Sequence, residues 1–444
     1  MRVTVGTRRD PRAICPQHPV AVCRLRAATP RFRTQPGYRG AMSAVTGAWQ
    51  RATRGAMLLN DEGELRPTIF AEMSALASTT GAVNLGQGFP DYDGPPEVLE
   101  AARQAISDGV NQYPPGLGMP VLREAIARHQ QRFYGQTVDP DAEVLVTAGA
   151  TEAIAATLLA LLEPGDEVVT MEPFYDSYAA MIGLAGARHV TVTLRPPQFR
   201  PDLDELRDAV TDRTRIILLN SPHNPTGVAL DAETLALVVE LAERHDAYIV
   251  SDEVYEHLLF ERPHLPVATL PGAAERTITI SSGGKTFSTT GWKVGWLIAP
   301  RPVRDAVLAV KQFLTYVNGA PFQPAIAVGL ELPDAYFQDA ARTLARRCGL
   351  LSAGLRSAGF EVSSPDGGYF VVADSAPLGA SDAVAFCREL PQRAGVVAIP
   401  LLAFVRPEHH DPYRTLVRFA FCKRDEVLST ALESLGGRTD RSAR

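Results

Sequence analysis

Nothing in the 444 residues is apolar for long enough to cross a bilayer, since no run approaches the roughly 18 residues that a spanning helix needs. Cysteine is scarce: Cys15, Cys23, Cys348, Cys387 and Cys422 lie far apart and form no C-x-x-C pair. That spacing argues against a disulfide framework or a zinc site and fits a reducing cytoplasm, with each thiol read as a small buried hydrophobe. Positive charge is not in surplus either. A formal net charge of −6 argues against nucleic acid or an anionic membrane as the main partner. No internal repeat occurs, and composition shifts only near the start. Residues 1–55 are rich in Arg, Pro and Ala and contain one acidic residue, Asp10. Arg8-Arg9 lacks the apolar stretch of a twin-arginine signal, and an Arg-rich transit peptide is the alternative. The expectation is a disordered leader over 1–55, with Met42 able to serve as an internal start.

What remains is ordinary for a globular protein, 45% hydrophobic and 21% charged, and long enough for two or three domains. A short helix is expected over 69–76 and a glycine-punctuated arm over 83–90. Helices follow from Pro95 to 106 and over 122–134, with a loop at 111–116 between them. Short apolar runs at 144–147, 167–171, 189–194, 215–219, 248–251, 277–280 and 294–298 then read as strands. Helical spans at 151–162, 177–185, after Pro201 and at 232–244 separate most of them. This alternation predicts the α/β class: a large domain with a mostly parallel seven-stranded sheet sandwiched by helices. Long helices are expected over 302–315 and 334–358. An antiparallel-looking set at 360–363, 369–373, 396–399 and 415–421, with helices at 381–390 and 424–435, reads as a smaller α+β domain. The expected division is 56–90 for the arm and part of the small domain, 91–330 for the large domain and 331–440 for the rest of the small one.

The chemistry centres on R-T-I-T-I-S-S-G-G-K-T-F-S-T-T-G-W-K-V-G-W (276–296), where a strand breaks into small residues and delivers Lys285. Lysine in such a place can cradle a phosphate, or its amine can be desolvated and condense with an aldehyde. Gly284-Lys285-Thr286 looks like the end of a P-loop, but the position that must be the first glycine is Thr279, inside the strand, so that reading fails. A solvated turn lysine is the plainer alternative. Ligands of such sheets bind at the carboxyl ends of the strands, and three more motifs fall there. Gly149-Ala150-Thr151 at a strand-to-helix junction suits a phosphate, although Thr151 as a plain helix cap is the simpler reading. N-S-P-H-N-P-T-G (220–227) holds Asn224 in a proline-stiffened loop that can also be only a turn. S-D-E-V-Y (251–255) places Asp252 past an apolar strand without the histidines of a metal site. A carboxylate there can face a cationic ring nitrogen. A phosphate, a ring cation, a phenolate oxygen and an aldehyde together specify pyridoxal 5′-phosphate (PLP).

With these motifs and L-V-R-F-A-F-C-K (416–423), the chain over about 65–435 resembles the class I aminotransferases of PLP fold type I. The resemblance implies that Lys285 joins the cofactor aldehyde and later moves the substrate proton. It implies that Asp252 keeps the ring nitrogen protonated, that Tyr255 and Asn224 bond the ring oxygen, and that Tyr175 stacks on the ring. Gly149, Ala150, Thr151, Ser282 and Lys293 would hold the phosphate, joined by Tyr113 of the partner subunit. Arg418 would take the substrate carboxylate and Gly88 would close over it, in a homodimer with shared active sites that binds neither nucleic acid nor membrane. Two positions depart from the commoner pattern. Ala150 offers only backbone after the phosphate glycine, and Lys293 stands where many relatives carry arginine. E-P-F-Y-D-S-Y (172–178), G-A-P-F-Q-P (319–324) and V-R-F-A-F-C-K-R-D (417–425) look like a narrower group, the actinobacterial N-succinyldiaminopimelate aminotransferases. More distantly they resemble kynurenine/glutamine-type aminotransferases with cysteine-S-conjugate β-lyase activity. The expected substrates are therefore 2-oxoglutarate and N-succinyl-LL-2,6-diaminopimelate, in lysine biosynthesis.

Overall fold

Successive residues of the central strands face opposite ways, and both ways are buried. Ile216, Leu218 and Val250 belong to one apolar cluster, while Ile217, Leu219 and Ile249 belong to another. A strand covered on both faces needs apolar residues at every position, which explains runs such as R-I-I-L-L instead of a polar alternation. The computed structural model describes residues 47–60 and 62–436.

The described chain begins with α1 (Trp49–Gly55), α2 (Ile69–Thr80), the short strand β1 (Val83–Asn84), α3 (Pro96–Ser107) and α4 (Pro120–Tyr134). The expected disordered leader over 1–55 is corrected at its end: α1 is a helix packed on the later helix at 176–185. Their backbones meet closely, because a Cβ on Gly55 would fall 2.1 Å from the carbonyl oxygen of Ala179. Its short length and lack of an apolar stripe hid it. Met42 lies outside the described residues.

The main sheet follows: β2 (Val144–Thr147), α5 (Gly149–Leu161), β3 (Glu167–Glu172), α6 (Asp176–Ala185), β4 (Arg188–Thr193), α7 (Leu203–Ala209), β5 (Thr214–Asn220), α8 (Ala232–Arg244), β6 (Tyr248–Asp252), β7 (Thr277–Ser282), α9 (Gly283–Thr286) and β8 (Gly295–Ile298). Its order is β2-β8-β7-β6-β5-β3-β4. Only β8 runs against its neighbours, so β2, β3, β5, β6 and β7 all end at one edge. The seven mostly parallel strands predicted from the apolar runs are all present.

Beyond β8 come α10 (Arg301–Lys311), α11 (Phe322–Leu330), α12 (Asp334–Ser357), β9 (Glu361–Val362), β10 (Phe370–Asp374), α13 (Ala383–Ala394), β11 (Val396–Val397), β12 (Ile399–Pro400), β13 (Leu416–Ala420) and α14 (Asp425–Gly436). The helix expected over 302–315 stops at Lys311, whose amine turns back onto the carbonyls of Tyr316 and Gly116 at 2.5 and 3.4 Å. Helix α11 was not foreseen: Pro324 sits in its first turn, where its missing N–H has no role, and the following residues are apolar all round. The single strand expected over 396–399 is two. β11 pairs in parallel with β1, while β12 joins the antiparallel sheet β12-β13-β10-β9. One apolar cluster runs from Val169 and Ile249 to Val371 and Phe419, so both sheets share packing. No helix among the described residues is long and apolar enough to cross a membrane.

Candidate active site

The common edge of β2, β5, β6 and β7 opens on a cavity of about 240 Å³. Its walls include Gly149, Ala150, Thr151, Tyr175, Asn224, Asp252, Tyr255, Ser282, Lys285 and Lys293. Ten residues singled out from sequence, spread over 145 positions, thus face one space. A second cavity of about 340 Å³ shares Tyr175, Asn224, Tyr255, Lys285 and Thr290 with the first and adds Gly88 and Arg418. Tyr113 lines neither; it is 82% exposed, edge-on to Tyr316 at 5.6 Å.

Asp252 ends β6 and is buried, its Oδ2 accepting from the Tyr178 hydroxyl at 2.6 Å. Burial pushes its carboxyl from the ordinary 3.8 up to about 6, against the bonds from Tyr178 and the Val254 amide. A carboxylate so desolvated gains from a cationic partner. Asn220, at the end of β5, donates to the Asp252 carbonyl at 2.9 Å and accepts from the Asn224 amide at 2.7 Å. It ties the loop carrying Asn224 to the strand carrying Asp252.

Lys285 lies on α9, one turn beyond the end of β7. Its amine is 3.4 Å from the Gly88 carbonyl oxygen and 5.6 and 5.5 Å from the Tyr255 and Tyr369 ring centroids. Burial lowers its pKa, opposed by Cys422 and Asp252, which enlarges the neutral, nucleophilic fraction of the amine. The Tyr369 hydroxyl donates to the Lys285 carbonyl at 2.7 Å and fixes the turn. Tyr255 is buried beside it, and burial raises its phenol pKa, keeping it a hydrogen-bond donor.

Helix α5 starts at Gly149, not at Thr151 as expected, so Thr151 is not a cap; Ala148 precedes the helix with no capping side chain. The free N–H groups and positive end of this helix point to an anion. Gly149 has φ +76°, and a Cβ there would lie 3.1 Å from the Lys293 amine, so glycine lets that cation approach the helix end. Ser282 caps α9, its hydroxyl accepting from the Gly284 amide at 3.2 Å while lining the same cavity.

Arg418, on β13, is buried between rings, with its guanidinium 3.8 Å from the Phe370 centroid and 4.6 Å from that of Phe404. It donates to Asn224 Oδ1 at 2.9 Å and to the Gly86 carbonyl at 2.8 Å. Its Nε has no partner among the described residues, and burial lowers its pKa to about 10. A buried cation with a donor to spare suits a carboxylate. Gly88 is required where it stands, since a Cβ would fall 2.2 Å from the Phe370 ring.

Among the described residues one group could hold a metal ion: His129, Glu256 and His257. The two imidazoles meet Nε2 to Nε2 at 2.6 Å, within hydrogen-bond reach of each other, and Glu256 already accepts from Tyr134 and Ser281.

The family model described as aminotransferase class I and II matches residues 80–435. The chain belongs to this family. It is 52% identical over 391 residues to a probable N-succinyldiaminopimelate aminotransferase of Mycobacterium tuberculosis, covering 85% of this chain and 98% of that one. The solved N-succinyldiaminopimelate aminotransferase structure from that organism superposes with a TM-score of 0.83 at 50% identity, covering 89% of this chain and all of the other. A methionine aminotransferase of Escherichia coli is 39% identical, covering 84% of this chain and 96% of that one. A mouse kynurenine–oxoglutarate transaminase is 36% identical, covering 83% and 87%. This aminotransferase is thus a PLP-dependent transaminase of the α/β class. Its residues fit the cofactor on their own terms: a desolvated carboxylate wanting a cation, a helix end and a lysine wanting an anion, and a lysine amine between them.

Tyr178 was missed by sequence reasoning, although it lies three residues after Tyr175 and so on the same side of α6. Asn220 stood inside a recognised motif without a role. Tyr369, Phe370 and Phe404 had no local signal, because only tertiary packing brings them to Lys285 and Arg418.

Proposed function

We propose that this aminotransferase moves the amino group of N-succinyl-LL-2,6-diaminopimelate to 2-oxoglutarate in the lysine pathway, as a cytoplasmic homodimer. In this reading residues 91–330 form the cofactor-holding domain, and 331–440 with 56–90 form the smaller one. The observation that carries the reading is the joining of two cavities, one holding Asp252 and the helix end of α5, the other Arg418, with Lys285 in the wall of both. The donor is supported by the 52% identity to the mycobacterial enzyme over nearly its whole length.

When bound, PLP supplies an aldehyde that condenses with amines and a cationic ring that withdraws electrons from the substrate Cα–H bond. Asp252 would pair with the ring nitrogen, held in place by Tyr178. Tyr255 and Asn224 would bond the ring oxygen, and Tyr175 would cover a ring face. Gly149, Ala150, Thr151, Ser282 and Lys293 would hold the phosphate with Tyr113 of the partner subunit. Arg418 would grip the substrate α-carboxylate under the arm at Gly88, which orients the Cα hydrogen toward Lys285. Lys285 would bind the cofactor covalently at rest, and its freed amine would take the proton from Cα and return it on the cofactor side.

A donor panel with 2-oxoglutarate, read by glutamate formation, tests this. The succinyl donor is expected to exceed kynurenine, glutamine and methionine in kcat/KM by at least about tenfold, a transition-state preference of roughly 1.4 kcal/mol. The opposite ranking would favour the kynurenine-type reading, which the 36% identical mouse enzyme supports. Release of pyruvate and ammonia from cysteine conjugates without a keto acid would mark β-lyase activity.

A further inference from the structure

Behind the Arg418 cavity lies another, of about 450 Å³, not used by the reading above. The two meet at Phe70 and Asp176, which line both. Beyond that junction the walls are largely apolar, with Ile69, Leu402 and Ala403 among them. Such a lining accepts an alkyl or acyl chain, and the permanent cations along it are two arginines, Arg66 and Arg388.

Those two arginines are not equivalent. Arg388 is committed: Glu72 accepts from its Nε at 2.6 Å and from Nη2 at 3.1 Å. Arg66 is exposed, and its guanidinium has no hydrogen bond or ion pair among the described residues. Its backbone is nevertheless held. The Arg66 amide donates to the Leu58 carbonyl at 2.8 Å, Leu59 and Leu65 form a bridge, and Thr68 caps α2 two residues on. A pinned backbone with an unspent cation at the rim of an apolar cavity selects a ligand with a long chain ending in an anion. Asp176 at the junction disfavours a second negative charge close to Phe70, so that anion belongs at the far end.

We propose that Arg66 is a specificity residue that pairs with the terminal carboxylate of a donor whose acyl chain passes Phe70 into this cavity. This rests on the transaminase reading above, in which Arg418 fixes the α-carboxylate, and it adds the residue that reads the dicarboxylic acyl group on the donor's distal amine. A short acceptor such as 2-oxoglutarate does not extend past Phe70 and does not meet Arg66.

The test compares the full-length holoenzyme with its Arg66→Gln and Arg66→Lys variants on three donors. These are N-succinyl-LL-2,6-diaminopimelate, its N-acetyl analogue, which lacks the terminal carboxylate, and methionine. Arg66→Gln should raise the KM for the succinyl donor about fivefold with kcat unchanged, the upper end of what an exposed ion pair is worth. Arg66→Lys should recover part of that loss. The KM values for the acetyl donor, methionine and 2-oxoglutarate should stay within about twofold of wild type, which a general structural defect would not allow. If the wild type turns over the succinyl donor and Arg66→Gln leaves its KM unchanged, or raises the acetyl KM equally, the Arg66 assignment falls and the donor reading stands. If the wild type uses methionine but neither acylated donor, both fall together.

Discussion

Asp252 shows how a single residue can be poised for a partner that it does not itself supply. Its folded pKa, about 6 against an ordinary 3.8, is raised by burial, so in the cofactor-free chain its contribution to stability is fully present below 3.8 and lost as pH rises through about 6. The displacement corresponds to roughly 3 kcal/mol. A ring cation reverses the preference, because it favours the ionised carboxylate. The cofactor-free protein should therefore melt lower at pH 7.5 than at pH 5 relative to Asp252→Asn, while cofactor affinity of the wild type should weaken as pH falls through 6. Equal melting differences at both pH values would show that Asp252 ionises normally. The other charges facing this carboxyl, Lys285 and Glu253, act in opposite directions and leave burial in control. At this scale the sequence was informative about identity and silent about environment. S-D-E-V-Y marked Asp252, but the Tyr178 bond and the burial that set its pKa come from α6 and the sheet above it.

Secondary elements position the site through close backbone approach as much as through side chains. Gly295 pairs with Ser282 on one side and Thr147 on the other, beside the start of α5. A Cβ there would fall 2.6 Å from the Gly149 carbonyl carbon and 2.7 Å from the Ala150 nitrogen, both rigid backbone. Gly295→Ala should cost about 1–3 kcal/mol, the usual penalty of overpacking, and should loosen the phosphate end of the cofactor site. Gly291→Ala, four residues away with nothing within 4 Å of its Cβ, is the matched control and should be near neutral. Thermal melts and equilibrium dialysis of PLP read both effects, and an undisturbed Gly295→Ala variant would remove the claim that strand and helix contact is tight there. Element boundaries from sequence were good where the apolar pattern is unbroken, as for the strand at 144–147 and the helix at 232–244. They failed at α1, at α11 and at the division of β11 from β12. There the deciding contacts were with distant segments.

For the molecule as a whole, the exposed aromatics mark where packing is unfinished. Tyr113 is 82% and Phe313 84% exposed, and Tyr316 stacks edge-on against the former. Such a patch suits a second copy of the chain, in line with the role proposed for Tyr113 of the partner subunit. Sedimentation should give twice the chain mass, and Tyr113→Phe should keep that mass while weakening PLP retention several-fold, as loss of one charge-assisted hydrogen bond does. A monomeric, fully active protein would overturn the shared-site reading. Taken alone, the sequence determined the class of fold and the cofactor, because short apolar runs separated by helical spans and the motifs around Lys285, Asp252 and Asn224 are local properties of the chain. Only the tertiary structure decided that Phe370 and Phe404 enclose Arg418, that Tyr178 anchors Asp252, and that an unspent arginine stands at the rim of a third cavity. These are contacts between residues far apart along the chain, and their geometry follows from how the layers pack.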